Sequence, residues 1–251
     1  MPHGAPCWFE LATPDQAAAK TFYSTLFGWT AEDSPIGPDK YYTTFLRDGV
    51  PVAAASRIPN VPPHWGVLFE VEDVDATAAK VAGLGGKVVK DPFDVMTRGR
   101  MAVVADPEGA VSMLWQPGTH AGAGVMMQER SVLWVELAAR DIEAAAAFYS
   151  GILGWTTAQH PASPSGYLIF SVAGKGWGGL LQMTPHWGEM PSHWSIYLQV
   201  ADVDAGVAAG IEAGGKLCFP AFDAPGVGRI CRIDDPTGAG FYMMKPSYPT
   251  A

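Results

Sequence analysis

Charge is scarce in this sequence: only 16% of its 251 residues are Asp, Glu, Lys or Arg, and the acidic ones outnumber the basic ones 25 to 16. With a formal net charge of −9 there is no Lys- and Arg-rich surface for phosphates, so nucleic acid is excluded as an expected partner. Cysteine is equally thin. Cys7, Cys218 and Cys231 are an odd number without CxxC spacing, which suggests neither a disulfide framework nor a thiolate zinc site. Long apolar runs are missing too, since no stretch reaches the roughly 20 uncharged apolar residues that cross a bilayer. Met1-Pro2-His3-Gly4 has neither the basic start nor the apolar run of a secretory signal. The expectation is a cytoplasmic protein with no membrane partner. HExxH and GxSxG are absent, as is a Cys beside a suitable base. The glycine-rich stretches at 83–87 and 213–216 follow a helix and precede a strand, the reverse of a phosphate loop, and read as helix stops.

What the chain does have is apolar residues, 48% of the total, enough to fill real cores, and an internal repeat. Trp8-Phe9-Glu10-Leu11-Ala12 recurs as Trp134-Val135-Glu136-Leu137-Ala138. In both places an Asp, an Ala-rich helix, Phe-Tyr and Gly-Trp-Thr follow, so Tyr23 and Trp29 map onto Tyr149 and Trp155, 126 positions on. Later motifs recur at a spacing of 129: His-Trp at 64 and 193, Asp-Val-Asp at 73 and 202, Gly-Gly-Lys at 85 and 214. Phe-Asp at 93 and 222, Gly-Arg at 99 and 228, and Asp-Pro-x-Gly at 106 and 235 complete the series. The pattern is a duplicated domain of roughly 120 residues. Its expected halves are residues 1–118 and 131–251, joined by a linker at 119–130 whose Gly-Thr-His-Ala-Gly-Ala-Gly start reads as flexible. The Asp-Pro pairs read as tight turns.

Each half divides again. Phe9-Glu10-Leu11 leads to Asp15 and an Ala-rich helix, and Phe69-Glu70-Val71 leads to Asp75 and Thr77-Ala78-Ala79-Lys80 sixty positions later. Short strands such as Tyr42-Thr43-Thr44-Phe45 and Tyr167-Leu168-Ile169-Phe170 come after the helices. The predicted fold class is α+β, with four β-α-β-β-β units in two tandem domains.

Strand parity sorts side chains onto two faces. Phe9, Leu11, Val135 and Leu137 take the helix side with Trp65, Val67, Phe69, Trp194, Ile196 and Leu198. The opposite face carries Trp8, Glu10, His64, Gly66, Leu68 and Glu70 in one half, and Trp134, Glu136, His193, Ser195, Tyr197 and Gln199 in the other. A Trp beside a Glu is unusual on a freely solvated face. Either the Trp residues fill the interior between curved sheets, with each Glu held by backbone donors, or the set lines a pocket of mixed aromatic and ionisable character. On the second alternative, Glu10 and Glu136 are the candidate catalytic carboxylates. Trp8, His64, Glu70, Trp134, Gln182, His193, Tyr197, Gln199 and Tyr242 are the candidate ligand-binding residues. His64 and His193 each follow a proline-rich segment, which suits loop anchoring as well as chemistry. The halves differ: Gln182 replaces Arg57, and Tyr197 with Tyr242 replaces Leu68 with Met113, so the second is favoured if only one works.

A strand, an Asp-headed helix with Phe-Tyr near its middle, a Gly-Trp stop and a closing Asp-Pro-x-Gly hairpin together resemble the vicinal oxygen chelate superfamily. That superfamily includes glyoxalase I, extradiol dioxygenases and bleomycin-resistance proteins, and the resemblance covers nearly the whole chain, twice. It implies paired units forming one U-shaped sheet cleft per domain. It also implies, for catalytic members, a divalent metal such as Fe, Mn, Ni, Co or Zn. Carried over residue by residue, the ligand positions fall on Trp8, Gly66 and Met113, and on Trp134, Ser195 and Tyr242. The sequence departs from the metal pattern at all of them, so no metal ligand is assigned and no cofactor is expected. A metal site survives only by substitution, Glu10 with His64 and Glu136 with His193.

Two functional readings follow. One is a metal-free binder of the bleomycin-resistance kind that holds a metabolite or antibiotic by stacking on Trp8 or Trp134, with Glu10 or Glu136 attracting donors. The other is a lyase, isomerase or dioxygenase using Glu10 or Glu136 as base or ligand. A third has one half purely structural. The expected partner is a small molecule, and the expected assembly a monomer or weak homodimer.

Overall fold

The structure, a computed structural model, describes residues 1–161 and 166–248; residues 162–165 and 249–251 of the expected second domain lie outside them. The first half runs β1 (Pro6–Thr13), α1 (Gln16–Phe27), β2 (Thr30–Gly37), β3 (Lys40–Arg47), β4 (Val50–Arg57), then β5 (His64–Glu70), α2 (Val74–Val81), β6 (Lys87–Val95), β7 (Gly99–Ala105) and β8 (Val111–Pro117). The second runs β9 (Val132–Ala139), α3 (Ile142–Leu153), β10 (Thr156–Gln159), β11 (Tyr167–Val172), β12 (Lys175–Gln182), then β13 (His193–Gln199), α4 (Val203–Glu212), β14 (Lys216–Ala224), β15 (Gly228–Asp234) and β16 (Gly240–Pro246). These are the four β-α-β-β-β units. They form two eight-stranded sheets, one per half, ordered β2-β3-β4-β1-β5-β8-β7-β6 and β10-β11-β12-β9-β13-β16-β15-β14.

The local signals explain themselves. Asp15, Asp73, Asp141 and Asp202 cap the four helices, their carboxylates accepting from backbone N–H groups that have no partner within the helix. Asp73, not Asp75, caps α2. Asp75 instead receives Arg100 at 2.6 Å, and Arg100 also reaches Asp94 at 2.8 Å. Arg229 repeats the fork with Asp204 and Asp223, which accounts for the recurring Gly-Arg motif. Gly28 and Gly154, at φ 64° and 70°, end α1 and α3 in the left-handed conformation that glycine adopts without strain.

Packing divides the chain differently from the sheets. One compact unit comprises residues 1–8, 66–122 and 135–195; the other comprises 9–65, 123–134 and 196–251. In the first, α2 packs on α3, and Phe69 sits among Trp194, Trp155, Tyr149 and Phe170 at ring separations of 5.1–6.5 Å. Trp194 Nε1 donates to the Tyr149 hydroxyl at 3.1 Å, which donates to Asp106 at 3.4 Å, while Trp155 Nε1 donates to the Gly4 carbonyl. In the second unit, α1 packs on α4, and Phe241 sits against Phe22, Tyr23 and Phe27. Trp65 Nε1 donates to Tyr23, whose hydroxyl donates to Asp235 at 3.1 Å. Burial, reinforced by the neighbouring carboxylate, holds both tyrosine hydroxyls protonated far beyond their usual range.

Asp106 and Asp235 also close their own turns, as expected, accepting from the amides of Glu108 and Ala110 and of Thr237 and Ala239. The 119–130 segment is tied down by backbone hydrogen bonds: His120 to Arg98, Gly124 to Pro51 and Arg130 to Gln199. Cys7, Cys218 and Cys231 form no disulfide. Among the described residues no helix is long and apolar enough to cross a membrane.

Candidate functional site

In the second unit, β1 pairs in parallel with β4 and β3 pairs antiparallel with it, so Glu10 and Thr44 flank Ala54 in register. Two positions along β3, the Tyr42 hydroxyl donates to Glu10 Oε1 at 2.6 Å. Burial pushes the Glu10 carboxyl above the usual carboxylate range, against the opposing pull of the Tyr42 hydrogen bond. A carboxyl so placed can hold or release a proton nearer neutrality than an exposed one. His64 lies exposed at the mouth of β5, its Nδ1 2.8 Å from the Pro62 carbonyl, which is the loop-anchoring alternative.

The same unit carries the end of the second sheet. Tyr197 on β13 and Tyr242 on β16 are register partners, and their rings stack at 4.4 Å with 8° between planes. Tyr197 belongs to a buried cluster with Leu133, Ile230 and Met244; Trp134 and Tyr242, both half-buried, pack against it. Arg232 stands opposite Tyr242 on β15, with Asp234 3.5 Å from its guanidinium. Gln199 is half-buried, and its amide is tied to the Ser131 carbonyl.

In the first unit, Trp8 is fully buried, and the His120 ring packs edge-on to it at 4.5 Å and near Trp115 at 5.8 Å. Burial, helped by the Arg98 charge, lowers the His120 pKa. Glu70 accepts from the Met1 ammonium at 2.9 Å. Glu136 is buried at 6% exposure and pairs in register with Gly179, over which the Tyr167 hydroxyl lies so closely that a Cβ there would collide with it. The His193 Nδ1 is 2.9 Å from the Pro191 carbonyl, repeating His64. Gln182 donates to the Arg140 and Met183 carbonyls, a backbone anchor at the end of β12.

Glu10 and Tyr42 are thus brought together, as are Trp134, Tyr197 and Tyr242; His64, Glu70, Gln182 and His193 are held by the chain itself. Sequence reasoning missed Tyr42, Tyr167, His120 and Arg232. Tyr42 and Tyr167 do carry a signal, recurring 125 positions apart at the same place in their units, but their local pattern indicates only strands. His120 was hidden in a glycine-rich stretch.

At the positions where the resemblance places metal ligands, Trp8, Gly66, Met113, Trp134, Ser195 and Tyr242 offer no imidazole or carboxylate. Among the described residues no group of three or more His, Cys, Asp or Glu side chains is arranged to hold a metal ion. Those six positions supply none of the imidazole or carboxylate ligands that a divalent metal takes in such sites.

Comparison with known proteins agrees with this architecture. A family profile described as the Glyoxalase/Bleomycin resistance protein/Dioxygenase superfamily matches residues 7–114, and one described as a Glyoxalase-like domain matches 134–244. The chain is 36% identical to a protein named as a candidate glyoxylase, CFP32 of Mycobacterium tuberculosis (strain CDC 1551 / Oshkosh), covering 97% of this chain and 95% of that protein. It is also 36% identical to the anthracycline biosynthesis protein DauV of Streptomyces sp. (strain C5), covering 99% and 96%. Among solved structures, the 2,3-dioxygenase LapB from Pseudomonas sp. KL28 superposes with a TM-score of 0.71 at 13% identity, covering 100% of this chain and 94% of that one. The Mn(II)-bound glyoxalase from Novosphingobium aromaticivorans gives 0.67 at 15% identity, covering 97% and 82%. At such identities these structures speak for the fold alone.

Proposed function

The chain belongs to the glyoxalase, bleomycin resistance protein and dioxygenase superfamily, and from that premise we propose that it binds a small organic molecule without a metal. The ligand lies on the aromatic and acidic strand faces of residues 1–118 and 131–251, above all the second. The observation that carries this reading is the pairing of Trp with Glu two residues apart on one strand face, twice: Trp8 with Glu10 and Trp134 with Glu136. Trp134 is only half-buried, whereas Trp8 is fully buried, which favours the second half. The carboxyls of Glu10 and Glu136 then receive hydrogen-bond donors of the ligand. The names of the relatives, a candidate glyoxylase and an anthracycline biosynthesis protein, support an organic ligand.

One observation favours a second reading, in which Glu10 takes a proton alpha to a carbonyl: burial has raised its carboxyl toward the range a general base needs. The two readings are separated by screening small aromatic and carbonyl compounds through tryptophan fluorescence, with elemental analysis of the same preparation. Binding without turnover, weakened in Glu136→Gln or Glu10→Gln, is the expected result. Wild-type binding in both variants removes these carboxylates from the site, and a tight stoichiometric metal overturns the metal-free reading.

A further inference from the structure

The two halves part company on one face. At the 129-residue spacing, Leu68, Val103, Ala105 and Met113 of the first half become Tyr197, Arg232, Asp234 and Tyr242 of the second. These positions are neighbours by register: Leu68 beside Met113 and Val103 opposite it, Tyr197 beside Tyr242 and Arg232 opposite it. A duplicated sheet that needed only to pack would keep the apolar set, which fills space without taking two hydroxyls and a guanidinium out of water. The second half instead lays its tyrosines face over face at 4.4 Å and 8°, backed by the buried Leu133, Ile230 and Met244. Tyr242 keeps part of its surface exposed, and so does Arg232, whose side chain is 32% exposed.

We propose that this face selects a flat aromatic molecule bearing a carboxylate, whose rings extend the Tyr197–Tyr242 stack while the substituent is taken by Arg232. Offset stacking rewards a planar ring over a puckered one of equal size. Asp234 stands 3.5 Å from the guanidinium as an ion pair without a hydrogen bond, and an arginine has five N–H donors, so donors remain for a second anion. Tyr242 stands where the superfamily resemblance puts a metal-binding carboxylate, so the acidic position of metal-dependent members is here an aromatic one. The proposal rests on the small-molecule reading above and names the ligand class of its second site.

Calorimetric titration of the intact protein with 2-naphthoate, its saturated counterpart decalin-2-carboxylate and the uncharged 2-naphthol tests it. Naphthoate is expected to bind about tenfold more tightly than the saturated acid, a preference kept in Tyr242→Phe and lost in Tyr242→Leu. Arg232→Gln is expected to weaken naphthoate about tenfold and leave naphthol unchanged. Equal affinity for the flat and saturated acids overturns the proposal, as does indifference of naphthoate to both substitutions or no binding up to about 1 mM. Should Tyr242→Leu fail to fold, the saturated acid and Arg232→Gln still decide. If naphthoate does not bind but another compound does so in a Glu136-dependent way, this proposal falls and the small-molecule reading stands; if no compound binds, both fall.

Discussion

Glu10 shows how a single carboxyl reports on its surroundings. Its two main influences oppose each other: burial favours the neutral acid, and the hydroxyl of Tyr42 favours the anion, with burial the larger. The folded-state pKa therefore lies above that of the unfolded chain. Below the unfolded value both states are protonated and the group has no effect on stability. As pH rises from there toward the folded value, the unfolded chain releases its proton first, and stability falls; above the folded value the loss is constant. Glutamine at this position keeps an acceptor for Tyr42 and cannot ionise. The melting temperature of Glu10→Gln relative to the parent should therefore climb as pH rises from the ordinary carboxylate range toward neutrality, by a few degrees on the size scaling of domains this long. A difference that stays flat, or shrinks, across that interval would show that Glu10 ionises freely in the fold. Parity placed Glu10 on the face away from the helix, but not its partner. The Tyr42 contact depends on the registers of β1, β3 and β4, including the irregularity between Phe45 and Leu46, and no local pattern encodes that.

At the scale of elements the chain was largely legible, because alternation, Asp caps and Gly-Trp stops are all short-range signals. What escaped were tethers between elements far apart in sequence. Glu108, the variable residue of the first Asp-Pro-x-Gly turn, reaches the head of α3, where its two oxygens accept from the amides of Arg140 and Asp141 at 2.7 Å each. The Ser192 hydroxyl also donates to it. Arg140 in turn donates to the carbonyls of Gly188 and Met190, so the turn, the helix start and the loop before β13 form one clamp, lining an open cavity of about 480 Å³. The clamp joins the two halves inside one compact unit and is not repeated in the other, where Thr237 stands in place of Glu108 and accepts from the Thr13 hydroxyl at 3.2 Å. Negative charge at a helix N-terminus is favourable, but these amides are solvent-accessible, so water replaces part of what is lost. Glu108→Ala should lower stability by about 1 kcal/mol, seen as a lower urea midpoint at unchanged slope. A midpoint equal to the parent's would mean the clamp only follows the fold.

For the whole molecule, duplication makes the sequence ambiguous at one decisive point. The Phe-Tyr and Asp-Pro-x-Gly motifs occur in both halves, so pairing within a half and pairing between halves look identical in sequence. The structure resolves this: Tyr149 meets Asp106 inside one compact unit and Tyr23 meets Asp235 inside the other. Each sheet follows one half, but each packed interior draws on both. Severing the chain within 119–130 would strip Phe69 of Tyr149, Trp155, Phe170 and Trp194, and leave Asp106 buried without its hydroxyl donor. Uncovering one large aromatic costs about 1.5–3 kcal/mol, and several such losses exceed what a small domain can spare. Residues 1–130 made alone should therefore not persist as a folded monomer. They carry both Tyr23 and Asp106, however, so a second copy can supply each missing partner, and self-association into dimers is the expected escape. Light scattering with near-ultraviolet circular dichroism checks this, and mixing with residues 131–251 should shift the population toward the one-to-one complex. A monomeric fragment with a cooperative melt and native aromatic signal would show that each half closes its own core, and that the cross-half packing is an addition to two already stable domains.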